Sequence, residues 1–188
     1  HSVFFGKYFK KIYSFEPNPI LFKILEGNVM LNKLDHKIQL FNFALGNRIE
    51  TKKYLLTSNN LGGSGFFDGE FKQDHHHKMY YLKIKKGDSI NFKNIGFIKI
   101  DTEGYDFNVI KGLIKTIKRF QPIITFEVHP FGKENNMIIE YLNKNNYEYI
   151  YHITDSRFFS PRLKRVYEFE SNKLYTSVIC STKSLENF

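Results

Sequence analysis

The feature that most constrains this chain is a repeated alternation. Short apolar runs of strand length end at a polar or acidic residue, and each is followed by a segment with helical apolar spacing. Lys11–Glu16 (KIYSFE) is the clearest run, stopping at Pro17 as a buried strand would. Asn18-Pro19 then reads as an N-cap followed by proline at the first helical position. Leu21, Ile24, Leu25 and Val29 follow at the spacing of an apolar stripe packed on a sheet. The theme returns in Ile38–Leu45, Gly96–Asp101, Pro122–Val128, Tyr147–Ile153 and Leu174–Ser181. Helical patterns separate them, with Ile110, Leu113, Ile114 and Ile117 on one face and Glu134–Asn143 forming another. A short helix is expected over His1–Phe9. This alternation predicts an α/β fold with a mostly parallel sheet covered by helices.

One stretch departs from the pattern. Between residues 48 and 92, two strand-like pieces, Lys53–Thr57 and Met79–Lys85, flank a loop carrying Gly62, Gly63, Gly65 and Gly69. This reads as a hairpin excursion within a single domain of residues 1–188. The tract His75-His76-His77 lies in that polar loop without helical spacing, so it reads as solvated loop with incidental metal affinity.

Composition narrows the partners. The net charge is +9, which invites a polyanion. Of the 28 basic residues, however, only Arg48, Arg119, Arg157, Arg162 and Arg165 are arginine, and the heavy use of Lys, Asn, Ile and Phe matches an AT-rich coding bias. Nucleic acid is therefore not favoured as the partner. A single cysteine, Cys180, excludes a disulfide framework and an all-cysteine zinc site. With no apolar run of membrane length and no signal-peptide pattern, the expectation is a soluble cytoplasmic domain.

In open sheets of this class, ligands bind beyond the carboxyl ends of the strands. Those ends carry Glu16, then Asn42 to Gly46, then Asp101 with Glu103, then Glu127 with His129. Asp101 and Glu103 are two apart, so in extended chain they share one side, and Glu127 and His129 repeat the arrangement. Glu16 has the chemistry to accept hydrogen bonds from both hydroxyls of a ribose, although a solvated acid at a strand end would look the same. An imidazole titrating near neutrality suits His129 to take a proton from a hydroxyl; a strand-end histidine capped by a carbonyl is the plainer reading. The four rim residues also suit Mg²⁺ or Mn²⁺. A metal-free site is preferred, because no dense acidic triplet stands in the sequence. Residues 154–167 gather Arg157, Arg162 and Arg165 around Phe158 and Phe159. This is either a solvated hairpin or a loop for a phosphorylated or nucleotide-linked sugar.

FEPNP (Phe15–Pro19), the asparagines of EGNVMLNKL (Asn28, Asn32), NFALGN (Asn42–Asn47), NLGGSGF (Asn60–Phe66), FIKIDTEGYD (Phe97–Asp106) and PIITFEVHP (Pro122–Pro130) occur in that order. Over roughly residues 1–130 this series resembles the FkbM family of S-adenosylmethionine-dependent methyltransferases. The resemblance implies a Rossmann-like class I methyltransferase sheet whose last strand runs antiparallel. It also implies O-methylation of a hydroxyl on a glycan, sugar nucleotide or other small molecule. It places Glu16, Asn42, Ala44, Leu45 and Asp101 on the cofactor. His129, Asp101 and Glu103 are then the catalytic set, and Glu127, Arg157 and Arg162 face the acceptor. The family's first strand and glycine-rich loop would lie just before His1, so the natural protein is expected to extend upstream. An NAD-dependent Rossmann oxidoreductase and a nucleic-acid-directed methyltransferase are the competing readings.

Overall fold

In the computed structural model, the described residues are 1–57, 64–67, 77–128, 133–154, 162–167 and 177–186. The chain divides into two compact units, His1–Lys86 and Gly87–Phe188.

The first unit opens with helix α1 (Ser2–Gly6) and strand β1 (Ile12–Phe15), followed by helix α2 (Pro19–Leu31). Strand β2 (Ile38–Phe41) pairs parallel with β1, Ile12 opposite Ile38 and Phe15 opposite Phe41. The rings of Phe15 and Phe41 stack at 4.7 Å across this pair. Helix α2 starts as its sequence dictates: Oδ1 of Asn18 accepts from the N–H groups of Ile20 (2.9 Å) and Leu21 (3.3 Å), with Pro19 in the first turn. Its stripe is less buried than the spacing suggests. Val29 is buried, but Ile24 is half exposed.

The run 38–45 is not one strand. It breaks at a bend over Asn42 and Phe43, and strand β3 (Ala44–Gly46) restarts in a different sheet. That sheet holds β4 (Glu50–Thr57), β5 (Gly65–Phe66) and β6 (His77–Lys86) in the order β3-β6-β4-β5. The expected hairpin is its spine: β4 and β6 pair antiparallel from Glu50–Ile84 to Thr57–His77. Leu56, Leu82 and Ile84 are buried, as is Tyr54, whose hydroxyl donates to the Ser64 carbonyl.

The second unit begins with a 3-10 turn (Gly87–Ser89) and strand β7 (Phe97–Ile100). Helices α3 (Asp106–Gly112) and α4 (Ile114–Phe120) follow, where sequence periodicity suggests one helix. They part at Leu113, beside the close approach of Gly87. A Cβ on Gly87 would lie 2.7 Å from Leu113 Cγ and 3.1 Å from the Gly112 carbonyl carbon, so only glycine lets the 3-10 turn seat there. Strand β8 (Ile123–Glu127), helix α5 (Lys133–Asn143), and strands β9 (Tyr149–Thr154), β10 (Arg162–Arg165) and β11 (Ser177–Ser181) complete the unit. The sheet order is β10-β9-β11-β8-β7. Strands β7 and β8 are parallel, whereas β11 is antiparallel to both β8 and β9. Ile100, Ile110, Ile117, Ile124, Phe126, Leu142 and Val178 form its core, with Cys180 fully buried.

The antiparallel strand near the chain end is therefore present, but one mostly parallel sheet is not. The described strands form three sheets, β1-β2 parallel and the other two of mixed sense, because β4 and β6 of the 48–92 excursion pair antiparallel and β10 folds back on β9. Among the described residues no helix is long and apolar enough to cross a membrane.

Candidate functional site

The carboxylate site of the second unit is built where β7 and β8 end. Ile100 is paired with Phe126, so the residues that follow, Asp101 just past β7 and Glu127 at the end of β8, stand side by side. Lys99 and Asp101 share a face of the strand, and Lys99 Nζ lies 2.6 Å from Asp101 Oδ2. Glu103 then turns back. Its φ is +49° and that of Gly104 is +87°, two successive left-handed residues. For a residue with a Cβ this conformation costs roughly 1–2 kcal/mol. At Gly104 the requirement is conformational, since a Cβ there would have room. The turn is closed by Thr102 Oγ1 donating to Asp106 Oδ1 (2.9 Å), and Asp106 is buried at the start of α3.

The result is that carboxylate oxygens of Asp101, Glu103 and Glu127 all lie within 4.8 Å of one another. Sequence reasoning grouped these three on strand alternation; the structure groups them because the turn carries Glu103 back. One oxygen from each could hold a divalent cation, or the set could accept hydrogen bonds from a hydroxylated ligand. His129, expected beside them, lies outside the described residues. The same is true of Arg157 and of residues 60–63 and 75–76 in the glycine and histidine loop. Arg162 is described, on β10 opposite Thr154, three strands from β8. At about 4.8 Å per strand, this puts it on the order of 14 Å from the carboxylates. Lys99 was missed, although the alternation that joins Asp101 to Glu103 joins it to Lys99 as well.

The first unit carries its own polar turn, after β1. Glu16 Oε1 accepts from the backbone N–H of Asn18 at 2.8 Å. Burial pushes the Glu16 carboxyl above its ordinary value, and the Asn18 N–H draws it partly back. Asn42 faces the same turn. Its Nδ2 donates to the carbonyls of Glu16 (2.9 Å) and Pro17 (3.2 Å), tying the end of β2 to the end of β1. Ala44 and Leu45 are both buried, on β3. Glu16, Asn42 and the start of β3 are thus gathered in one unit. Asn18 is fully buried and its Nδ2 has no hydrogen-bond partner, a feature its capping role does not explain.

The donor chemistry at this turn fits an adenosine. One oxygen of Glu16 is held by a backbone N–H, and the other has no partner among the described residues, leaving an acceptor for hydroxyls. Cys180, by contrast, offers no nucleophile: burial raises its thiol far above the ordinary value.

Comparison with known proteins bears on both turns. The family described as "Methyltransferase FkbM domain" matches residues 4–149, a span holding Glu16, Asn42, Asp101, Glu103 and Glu127 but not Arg162. A solved structure of similar fold is methyltransferase FkbM from Methylobacillus flagellatus KT, with a TM-score of 0.57 and 13% identity. The alignment covers 92% of this chain and 36% of that one, so this chain spans about a third of its length. No curated protein matches the sequence.

Proposed function

Because this chain belongs to the methyltransferase FkbM domain family, we propose that it acts as an S-adenosylmethionine-dependent O-methyltransferase on a hydroxyl of a glycan, sugar nucleotide or other small molecule. The observation that carries the acceptor chemistry is the gathering of Asp101, Glu103 and Glu127 within 4.8 Å. We read the second unit's sheet, with antiparallel β11 beside β8, as the closing half of a Rossmann-like class I arrangement.

When bound, S-adenosylmethionine supplies a methyl group already activated by its sulfonium. The chain's part is to hold and orient. Glu16 is assigned to the ribose hydroxyls, and the segment from Asn42 to Leu45 to the adenine. Glu127 receives the acceptor, and Asp101 or Glu103 orients it. His129, two positions after Glu127, is assigned as the base that removes the hydroxyl proton as the new C–O bond forms, a contribution of about 10²–10⁴-fold. Alignment of the reacting groups supplies roughly 7 kcal/mol or more. No metal is assigned to the carboxylates, since Lys99 already sets a cation against Asp101.

The test is direct. Titration of the full-length protein with S-adenosylmethionine and NAD separately is expected to show binding of the first alone. A methyl-transfer screen over nucleotide sugars, oligosaccharides and RNA then identifies the acceptor class. Binding of NAD alone, or transfer to RNA alone, would overturn the reading. Activity is expected to survive EDTA, and loss restored by Mg²⁺ or Mn²⁺ would make the three carboxylates ligands.

A further inference from the structure

The end of the second unit opposite the carboxylates holds a cavity of its own. Its volume is about 270 Å³, and Asp88, Asn91, Phe92, Lys115, Thr116 and Arg119 are among its walls. Residues 88–92 lead into β7, and residues 115–120 lead into β8. These strands run parallel, so the cavity opens where they begin, whereas Asp101 and Glu127 stand where they end. The four residues of β7 alone span on the order of 13 Å.

The charges in this cavity leave an excess of one positive charge, Lys115 and Arg119 against the single carboxylate of Asp88. Asp88 is fully engaged: its oxygens accept from the N–H groups of Lys115 (3.0 Å) and Thr116 (2.9 Å) and from Thr116 Oγ1 (2.9 Å). It also occupies the N–H groups at the start of α4, so an added anion would have to be held by side chains. Lys115 and Arg119 stand one helical turn apart on α4, a spacing at which like charges repel. Neither forms an ion pair among the described residues. Arg119 is exposed, with its guanidinium carbon 5.0 Å from the centroid of the Phe120 ring. Two cations without an ion-pair partner among the described residues, one with a planar donor fork, therefore bracket a polar recess whose carboxylate keeps its charge but is turned to neutral donors of its own fold.

We propose that this cavity binds the phosphate group of a small soluble phosphate monoester. A phosphate dianion relieves the repulsion between Lys115 and Arg119 and accepts from the guanidinium fork through two oxygens. The volume lies just below the roughly 300–1,000 Å³ usual for small-molecule pockets, which suits a phosphate on a single ring and not a whole nucleotide. The site is separate from the methyl-transfer chemistry and does not rest on it.

Binding of inorganic phosphate and of glucose 6-phosphate to the full-length protein, followed by ³¹P NMR, tests the proposal. Saturable binding in the millimolar range is expected, competed by sulfate and insensitive to equal chloride. The double variant Lys115→Gln/Arg119→Gln should weaken it about tenfold or more, with an unchanged circular dichroism spectrum. The charge-preserving pair Lys115→Arg/Arg119→Lys should bind more weakly than the natural protein, since the fork is displaced, but more tightly than the double glutamine variant. Absence of saturable binding, or binding unaltered in the double variant, would overturn the site. Cosedimentation with phosphatidic acid vesicles that needs the same two cations, without binding of either soluble probe, would overturn it in favour of a lipid headgroup.

Discussion

The turn after β1 and the turn after β7 do the same topological job, carrying the chain from a parallel strand into a helix, by opposite physical means. After β1 the turn is quiet. Asn18 has an ordinary φ of −72°, its side chain caps α2, Glu16 accepts from the Asn18 N–H, and Asn42 clamps two carbonyls. After β7 the turn is tense. Glu103 and Gly104 are both left-handed, Tyr105 supplies no side-chain cap, and three carboxylates are crowded together. The difference teaches that one turn is fixed by hydrogen bonds in ordinary backbone geometry. The other holds three carboxylates close together across a left-handed backbone turn.

Breaking the tense turn should cost the most activity. Asp101→Asn keeps the size of the side chain but ends its ion pair with Lys99, and methyl transfer should fall about 10²-fold or more while helical signal is kept. An unchanged kcat would remove Asp101 from the chemistry. Breaking the quiet turn should act on binding instead: Glu16→Gln is expected to weaken S-adenosylmethionine by roughly 10- to 100-fold, the worth of a hydrogen bond to a charged group, measured by calorimetry.

That same variant sharpens the comparison through pH. The Glu16 carboxyl is raised by burial in the folded state, so across the window above its ordinary 4.5 the folded chain binds more protons than the unfolded one. Its ionisation therefore lowers stability as pH rises through that window. Glu16→Gln should melt higher than the natural protein at pH 8, and the gap should close below pH 4.5, where both side chains are neutral. A lower melting temperature at pH 8 would show that the carboxylate stabilises the fold.

Smaller effects separate cap from strain. Asn18→Ala removes the acceptor for two N–H groups of α2 and should cost about 1–2 kcal/mol in urea unfolding. Glu103→Gly should do the reverse, raising stability by up to roughly 1 kcal/mol as the left-handed strain is relieved. Methyl transfer should nonetheless decline. If Glu103→Gly is both less stable and fully active, the tense turn is neither strained nor functional.

What could be read from the residues alone follows the same divide. The quiet turn is written locally: proline and asparagine act within three positions, so the cap, the strand before it and the helix after it are all visible in FEPNP. The tense turn was half legible. Its acids were identified, but a left-handed glutamate has no sequence signature, and the reason for their proximity is the turn. Where pairing is long-range the reading failed. Residues 38–45 look like one apolar strand, yet β2 ends where Asn42 reaches back to Glu16 and Pro17, and β3 restarts opposite Ile84. Likewise the helix over residues 106–120 breaks at Leu113, against a glycine more than twenty positions upstream.

The place of β11 in its sheet has a consequence for how the chain is made. It is synthesised after β9 and β10, yet it lies between β8 and β9 in the finished order. Until residue 181 has left the ribosome, β8 and β9 each present an edge awaiting this partner. Nascent chains that pause late are therefore the ones most open to mispairing with a neighbour. Completion of this sheet waits for β11, and chaperone demand should rise when translation slows between β8 and β11.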